Sequence, residues 1–296
     1  MTAAPDDTTS IRGLFEIDAP RVYSESDDKK LYCNIFRPVN QGPGPFPGVV
    51  LVHGGGWFGG MRQQLRWYGR HFAARGYVAM AIDYRRMFRW AFPHCVHDCK
   101  AAVRWLRLNA DDLRLDADRI LALGNSAGGH LSCMLAVTRP EHGLEGTANL
   151  GPSSAIQAAV SLYGPQELTY YLAPDWPLKV AGPIPPWYIR HFVERDHGVV
   201  DDPFEAASPI TYADEHSPPI MFVHGTRDIL SPFEQSVKFH EKLKDLGVPT
   251  ELVAVEGRNH AFDFIFAKER ARCFERICAF LDQHLTAPES VERVSA

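Results

Sequence analysis

The chain is poor in cysteine, with six in 296 residues (Cys33, Cys95, Cys99, Cys133, Cys273 and Cys278), short of the density of a disulfide scaffold. That excludes a small fold stapled by disulfides and fits thiols kept reduced in the cytoplasm. Long apolar runs are also lacking: none approaches the roughly 18 to 20 residues of a membrane span. The opening residues Met1-Thr2-Ala3-Ala4-Pro5-Asp6-Asp7 have neither the basic start nor the apolar core of a secretory signal, so a cytoplasmic location is expected. Basic residues are in the minority, with Lys+Arg 31 against Asp+Glu 36 and a net charge of −5. Nucleic acid and anionic membranes are therefore poor partners, and a small neutral molecule fits better. No internal repeat, coiled coil or low-complexity block is present.

A metal site has little support. His94, Cys95, His97 and Cys99 crowd together, but Cys95 and Cys99 fall four apart on an apparent helix with no second ligand pair downstream. Buried thiols packing in a core explain them, and neither metal nor organic cofactor is expected.

What the chain does have is 45% hydrophobic and 11% aromatic residues, enough for a sizeable core. Its short apolar runs alternate with helical spacing. Leu31–Pro38 alternates as a half-buried strand, and Gly48–Val52, Tyr77–Ile82, Ile120–Leu123, Ala155–Tyr163, Pro219–His224 and Thr250–Val255 read as buried strands. Between them, Arg62–Gly76, Cys95–Leu113, Pro232–Leu246 and Lys268–Leu285 read as amphipathic helices. This rhythm predicts an α/β fold of one domain, a mostly parallel central sheet flanked by helices. Residues 1–10 and 286–296 are expected to be disordered. Gln166–Val200 breaks the rhythm with many prolines and aromatics, and an insertion of this length predicts a lid or cap over a binding site rather than regular structure.

Chemistry concentrates at strand ends. Gly124-Asn125-Ser126-Ala127-Gly128 fits G-x-S-x-G, the turn in which a buried strand meets a helix and presents a serine. The pentad alone arises by chance in about one chain in ten of this length, so its flanks carry the inference. The apolar run Ile120–Leu123 before it and the small, helix-compatible residues after it supply the strand and the helix. Upstream, His53-Gly54-Gly55-Gly56-Trp57 follows another central strand and leaves backbone N–H groups free to receive an oxyanion.

A serine hydroxyl needs a histidine to take its proton and a carboxylate to orient that histidine. Asp228 and His260 each follow a predicted parallel strand, on the same sheet edge as Ser126 and in the order Ser, Asp, His. The competitors fit other roles: His130 packs in the elbow helix, His53 shapes its turn, and His224 ends a strand before the acid loop. Asp83 reads as a structural ion pair or cap, and Asp263 follows His260 too closely to orient it.

Together these motifs resemble the α/β-hydrolase fold-3 group, which includes hormone-sensitive-lipase-like carboxylesterases and the feruloyl and acetyl xylan esterases. The similarity extends over roughly residues 30 to 285. The resemblance implies a triad of Ser126, Asp228 and His260, an oxyanion hole from the N–H groups of Gly54, Gly55 and Ala127, and hydrolysis of carboxylic esters of small to moderate acyl groups. Such lipase-like members often carry a long N-terminal cap, whereas here the strands begin early, so the 166–200 insertion is expected to cover the site. Trp57, Trp176, Trp187 and Tyr188 are the expected pocket residues. An amidase or aryl-formamidase is an alternative with the same triad. A ligand-binding receptor on a hydrolase scaffold would be expected to have lost a triad member, and none is missing. A homodimer is left open.

Overall fold

The computed structural model describes residues 10–26, 29–172, 186–193 and 202–285. The irregular ends expected from the sequence lie outside these residues, apart from Ser10 in a turn. In chain order the strands are β1 (Phe15–Ile17), β2 (Arg21–Ser26), β3 (Lys29–Pro38), β4 (Phe46–Val52), β5 (Val78–Ile82), β6 (Leu115–Asn125), β7 (Ala158–Leu162), β8 (Ile220–Gly225) and β9 (Thr250–Val255). The longer helices are α1 (Arg66–Ala74), α2 (His94–Leu108), α3 (Ala127–Val137), α4 (Pro186–Val193), α5 (Phe233–Asp245) and α6 (Ala267–His284).

The strands form one sheet in the order β1-β3-β5-β4-β6-β7-β8-β9, with β2 also paired to β3. Pairing is antiparallel from β1 and β2 through β3 to β5 and parallel from β5 to β9. The parallel part follows from composition. Every residue of β5, β7 and β8 is buried, as strands covered on both faces must be. Alternate side chains divide between two cores. Val50, Val52, Ile120 and Ala122 pack with α2, α3 and α5, while Val49, Leu51, Leu121 and Leu123 pack with α1 and α6.

The sequence reading missed β1 and β2. They are short or polar and half-exposed, so they carry no apolar run and owe their place to pairing with the two ends of β3. The predicted helix Cys95–Leu113 is interrupted: α2 stops at Leu108, where Asn109 turns its side-chain amide onto the Trp105 carbonyl (2.8 Å), and a separate turn covers Ala110–Leu113. Regular structure also enters the 166–200 segment. Leu168–Leu172 forms a 3-10 turn, and α4 opens with Pro186, where a missing N–H is harmless. Ile189, Phe192 and Val193 then form a buried stripe at helical spacing.

The sheet topology places the loops after β4, β6, β7, β8 and β9 side by side along one edge. Every sequence motif falls there.

Candidate active site

The elbow is imposed by close approach. A Cβ on Gly128 would lie 1.9 Å from the Val52 carbonyl oxygen, and one on Gly124 would lie 2.2 Å from that of Gly128, so α3 can pack onto β4 and β6 only with glycine at both positions. Between them Ser126 adopts φ 55° and ψ −121°, a strained conformation for a residue with a side chain. It persists because both ends are tied: the Ser126 N–H donates to the Leu162 carbonyl at 2.8 Å, and its own carbonyl accepts from the His130 N–H at 3.0 Å.

His260 reaches Ser126 from the loop after β9. Its Nε2 lies 2.8 Å from Ser126 Oγ and its Nδ1 lies 2.6 Å from Asp228 Oδ2. The second contact assigns the tautomer: Nδ1–H donates to the carboxylate, leaving Nε2 to accept the serine proton. Asp228 is anchored in turn. Its Oδ1 accepts the N–H groups of Leu230 (2.8 Å) and Ser231 (2.9 Å), and its Oδ2 also lies 3.2 Å from Nε2 of His224. Burial alone would raise the Asp228 pKa; hydrogen bonds from His224 and His260 outweigh it and hold the carboxyl well below the usual carboxylate range.

His224 is the neighbour the sequence reading placed only as a strand end. It is fully buried, its Nε2 donating to the Ser231 carbonyl at 2.8 Å and its Nδ1 set 2.7 Å from Ser236 Oγ. The H-x-x-x-D spacing was the available signal, since four residues span the turn that brings the two side chains together. The other competitors occupy the places expected of them. Asp83 pairs with Arg62, and His53 stacks on Tyr84 with centroids 4.3 Å apart.

The glycine loop corrects one expectation. The Gly54 N–H donates to Asn125 Oδ1 at 2.9 Å and so is engaged before any substrate arrives. The N–H groups of Gly55, Gly56 and Ala127 have no acceptor among the described residues, and all three residues line the cavity beside Ser126. Gly56 therefore replaces Gly54 in the expected set of donors. The reason lies across the sheet: the elbow's Asn125 captures the first glycine, and no local feature of the loop announces it.

Trp57 and His130 brace this loop. The Trp57 indole N–H donates to Nδ1 of His130 at 3.2 Å, and Nε2 of His130 donates to the Ala207 carbonyl at 2.7 Å. Trp57 also stacks on Phe192 of α4, with centroids 4.4 Å apart. Burial lowers the His130 pKa to about 4, so the ring stays neutral and keeps both roles.

The cavity over Ser126 measures about 580 Å³ and is walled by Phe58, Tyr171, Tyr188, Ile189, Leu230 and Phe264 beside the loop residues. No Asp, Glu, Lys or Arg lines it among the described residues. Trp57 and Tyr188 line the cavity. Trp187 does not: it is 63% exposed and meets the edge of Tyr188. On a helix, adjacent residues point about 100° apart, so Tyr188 facing the cavity turns Trp187 away from it. Trp176 lies outside the described residues. Among the described residues no cluster of His, Cys, Asp or Glu could hold a metal ion, and no helix is long and apolar enough to cross a membrane.

The chain is similar to several known proteins. The BD-FAE family model matches residues 33–243. Esterase LipC of Mycobacterium tuberculosis is 28% identical over 87% of this chain and 63% of its own length, and esterase LipQ of the same organism is 31% identical over 84% and 58%. The chain thus spans about three fifths of the length of these curated relatives. A solved structure covers it more fully: the thermophilic esterase Est2 of Thermogutta terrifontis superposes with a TM-score of 0.74 at 28% identity, covering 95% of this chain and 96% of that one. Est2 has also been solved with propionate bound and with butyrate bound.

Proposed function

The chain belongs to the BD-FAE family, and on that premise we propose that it is a serine hydrolase cleaving neutral carboxylic esters with small to moderate acyl groups. The observation that carries the reading is the convergence of three loops on one hydrogen-bonded line, from Ser126 Oγ to His260 Nε2 at 2.8 Å and from His260 Nδ1 to Asp228 Oδ2 at 2.6 Å. In the reaction His260 takes the Ser126 proton as Oγ attacks the ester carbonyl. The N–H groups of Gly55, Gly56 and Ala127 receive the oxyanion. Collapse of the tetrahedral intermediate breaks the bond to the alkoxy oxygen, which leaves as the alcohol with the proton held on His260. Water then attacks the acyl-enzyme by the same route, with His260 as base and the carboxylic acid as second product. Asp228 stays ionised throughout and stabilises the imidazolium.

The absence of charged side chains among the described wall residues favours an uncharged substrate, and the aromatic wall favours an apolar acyl or alcohol group. Tyr171, Tyr188 and Ile189, the described residues of the 166–200 stretch at the cavity, form part of its wall and support a covering role for that stretch. Six free, buried cysteines fit a cytoplasmic location. The test is Ser126→Ala assayed against p-nitrophenyl acetate, butyrate and octanoate and an aryl formamide. Turnover of the esters should fall by several orders of magnitude, leaving a floor from binding and the oxyanion donors. Ester turnover near the wild-type rate in that variant would sink the assignment, and a wild-type preference for the formamide would replace esterase by amidase.

A further inference from the structure

One buried carboxylate has no part in the chemistry above. Asp263 is 2% exposed, three residues past His260 in the short helix Phe262–Ile265, and it feels the charge of Arg270 without a direct ion pair among the described residues. Its donors are phenols: Tyr163 OH on Oδ1, and Tyr68 OH on Oδ2 at 3.0 Å. Tyr163 is itself unusual. It follows β7 directly and holds φ at +44°, and its ring meets the His260 imidazole edge-on with centroids 4.7 Å apart. Its hydroxyl oxygen accepts from Nδ2 of Asn125 at 3.4 Å, and Asn125 Oδ1 accepts the Gly54 N–H at 2.9 Å.

These contacts run in one direction. Gly54 donates to Asn125, Asn125 to Tyr163, and Tyr163 to the carboxylate, so each donor leans toward the negative end and each bond polarises the next. The chain crosses the sheet edge from the β4 loop, past the elbow, to the loop that carries His260. A carboxylate buried among aromatic rings is costly, and burial pushes its pKa up. Apolar packing would fill the same space more cheaply.

We propose that Asp263, Tyr163 and Asn125 are positioning residues that fix the oxyanion loop against Ser126 and His260, acting through the Gly54 N–H. With Gly54 held, the next two N–H groups, of Gly55 and Gly56, are aimed at the carbonyl oxygen. With it released, the loop keeps its glycines and loses its register. The strain at Tyr163 serves the same end, because an ordinary strand continuation would carry its hydroxyl away from Asn125.

The proposal rests on the reading of Ser126 as nucleophile, and loss of turnover in Ser126→Ala tests that reading separately in the same assay. Tyr163→Phe removes one hydroxyl without changing the ring. It should lower kcat on p-nitrophenyl butyrate by about ten- to thirtyfold with KM within about twofold, and should raise the Ki of butylboronic acid, whose serine adduct mimics the tetrahedral intermediate, by a similar factor. Asn125→Ala should do the same, and the double variant should lose little more than either single one, since both break one chain. Tyr68→Phe is the control: it takes a phenol from the other oxygen of Asp263 without touching the chain and should leave kcat within about twofold. A Tyr163→Phe enzyme with wild-type kcat and Ki overturns the proposal. So does Tyr68→Phe losing as much as Tyr163→Phe, or full additivity in the double variant, because either result would reduce the network to packing.

Discussion

The loop between β8 and α5 and the short helix after His260 each bury one aspartate close to that histidine, and they treat it in opposite ways. Around Asp228 the backbone folds back to offer two N–H groups to one oxygen while two imidazoles face the other. Burial would favour the neutral acid, the donors win, and the group stays an anion. Around Asp263 the side-chain donors among the described residues are two phenols, burial outweighs them, and the pKa moves up. Donor count and chemistry therefore decide what a buried carboxylate does. The first region holds a charge ready to meet an imidazolium, and the second holds a fixed point for a hydrogen-bond chain.

The sharpest test exchanges the two. Asp228→Asn should lower kcat for ester hydrolysis by about 10³- to 10⁴-fold, because an amide cannot stabilise the imidazolium and favours the wrong tautomer. Asp263→Asn keeps an acceptor for Tyr163 and should lose only about tenfold. Comparable losses in steady-state assays of both variants would break the distinction.

Stability against pH separates the regions by sign. Asp228, depressed in the folded protein, contributes stability above its unfolded value near 3.9 that is lost as pH falls through its lower folded value. Asp263, raised, weakens the fold above its folded pKa, and that penalty is relieved as pH falls through it. Urea unfolding at pH 7.5 should therefore show Asp228→Asn less stable than Asp263→Asn. Between pH 6.5 and 4 three histidines dominate. Burial lowers His53, His97 and His130 to about 4, so their neutral forms support the fold above the unfolded value near 6.5 and the support is lost on the way down. Each can contribute about 3 kcal/mol over that window. A urea midpoint that stays flat from pH 6.5 to 4.5 would show that these rings take protons in place.

His224 tests the first region from behind. His224→Phe removes one donor from Asp228 and leaves the contact with His260, and it should reduce kcat by about ten- to thirtyfold with KM little changed. Unchanged kcat would mean that the two backbone N–H groups are enough to hold the acid.

The smallest effects are expected outside both loops. Tyr188→Ala takes apolar wall from the cavity and should raise KM about fivefold for octanoate and less for acetate, at roughly 25 cal/mol per Å² of lost contact. Trp187→Ala should change kcat/KM less than about twofold, since the ring is 63% exposed. A larger change in that variant would bring Trp187 back to the substrate.

The sequence by itself determined the parts that are local. Continuous apolar runs named the parallel strands, because a strand covered on both faces has no polar face to show. G-x-S-x-G named the elbow, because the clash that forces glycine at Gly124 and Gly128 belongs to any helix packed so tightly after a strand. The order Ser126, Asp228, His260 followed from both kinds of signal, although the contact it anticipates joins residues 134 apart. Only the tertiary structure decided the rest. Asn125 takes the N–H of a glycine 71 positions earlier, and Tyr163 meets an aspartate 100 positions later. Strand order across the sheet, which the periodicity of each strand leaves open, sets both distances. Hydrogen bonds are short-ranged and directional, so a donor's partner is fixed only once the strands have taken their places, and the same glycine or aspartate reads alike in sequence whether it faces substrate or its own fold.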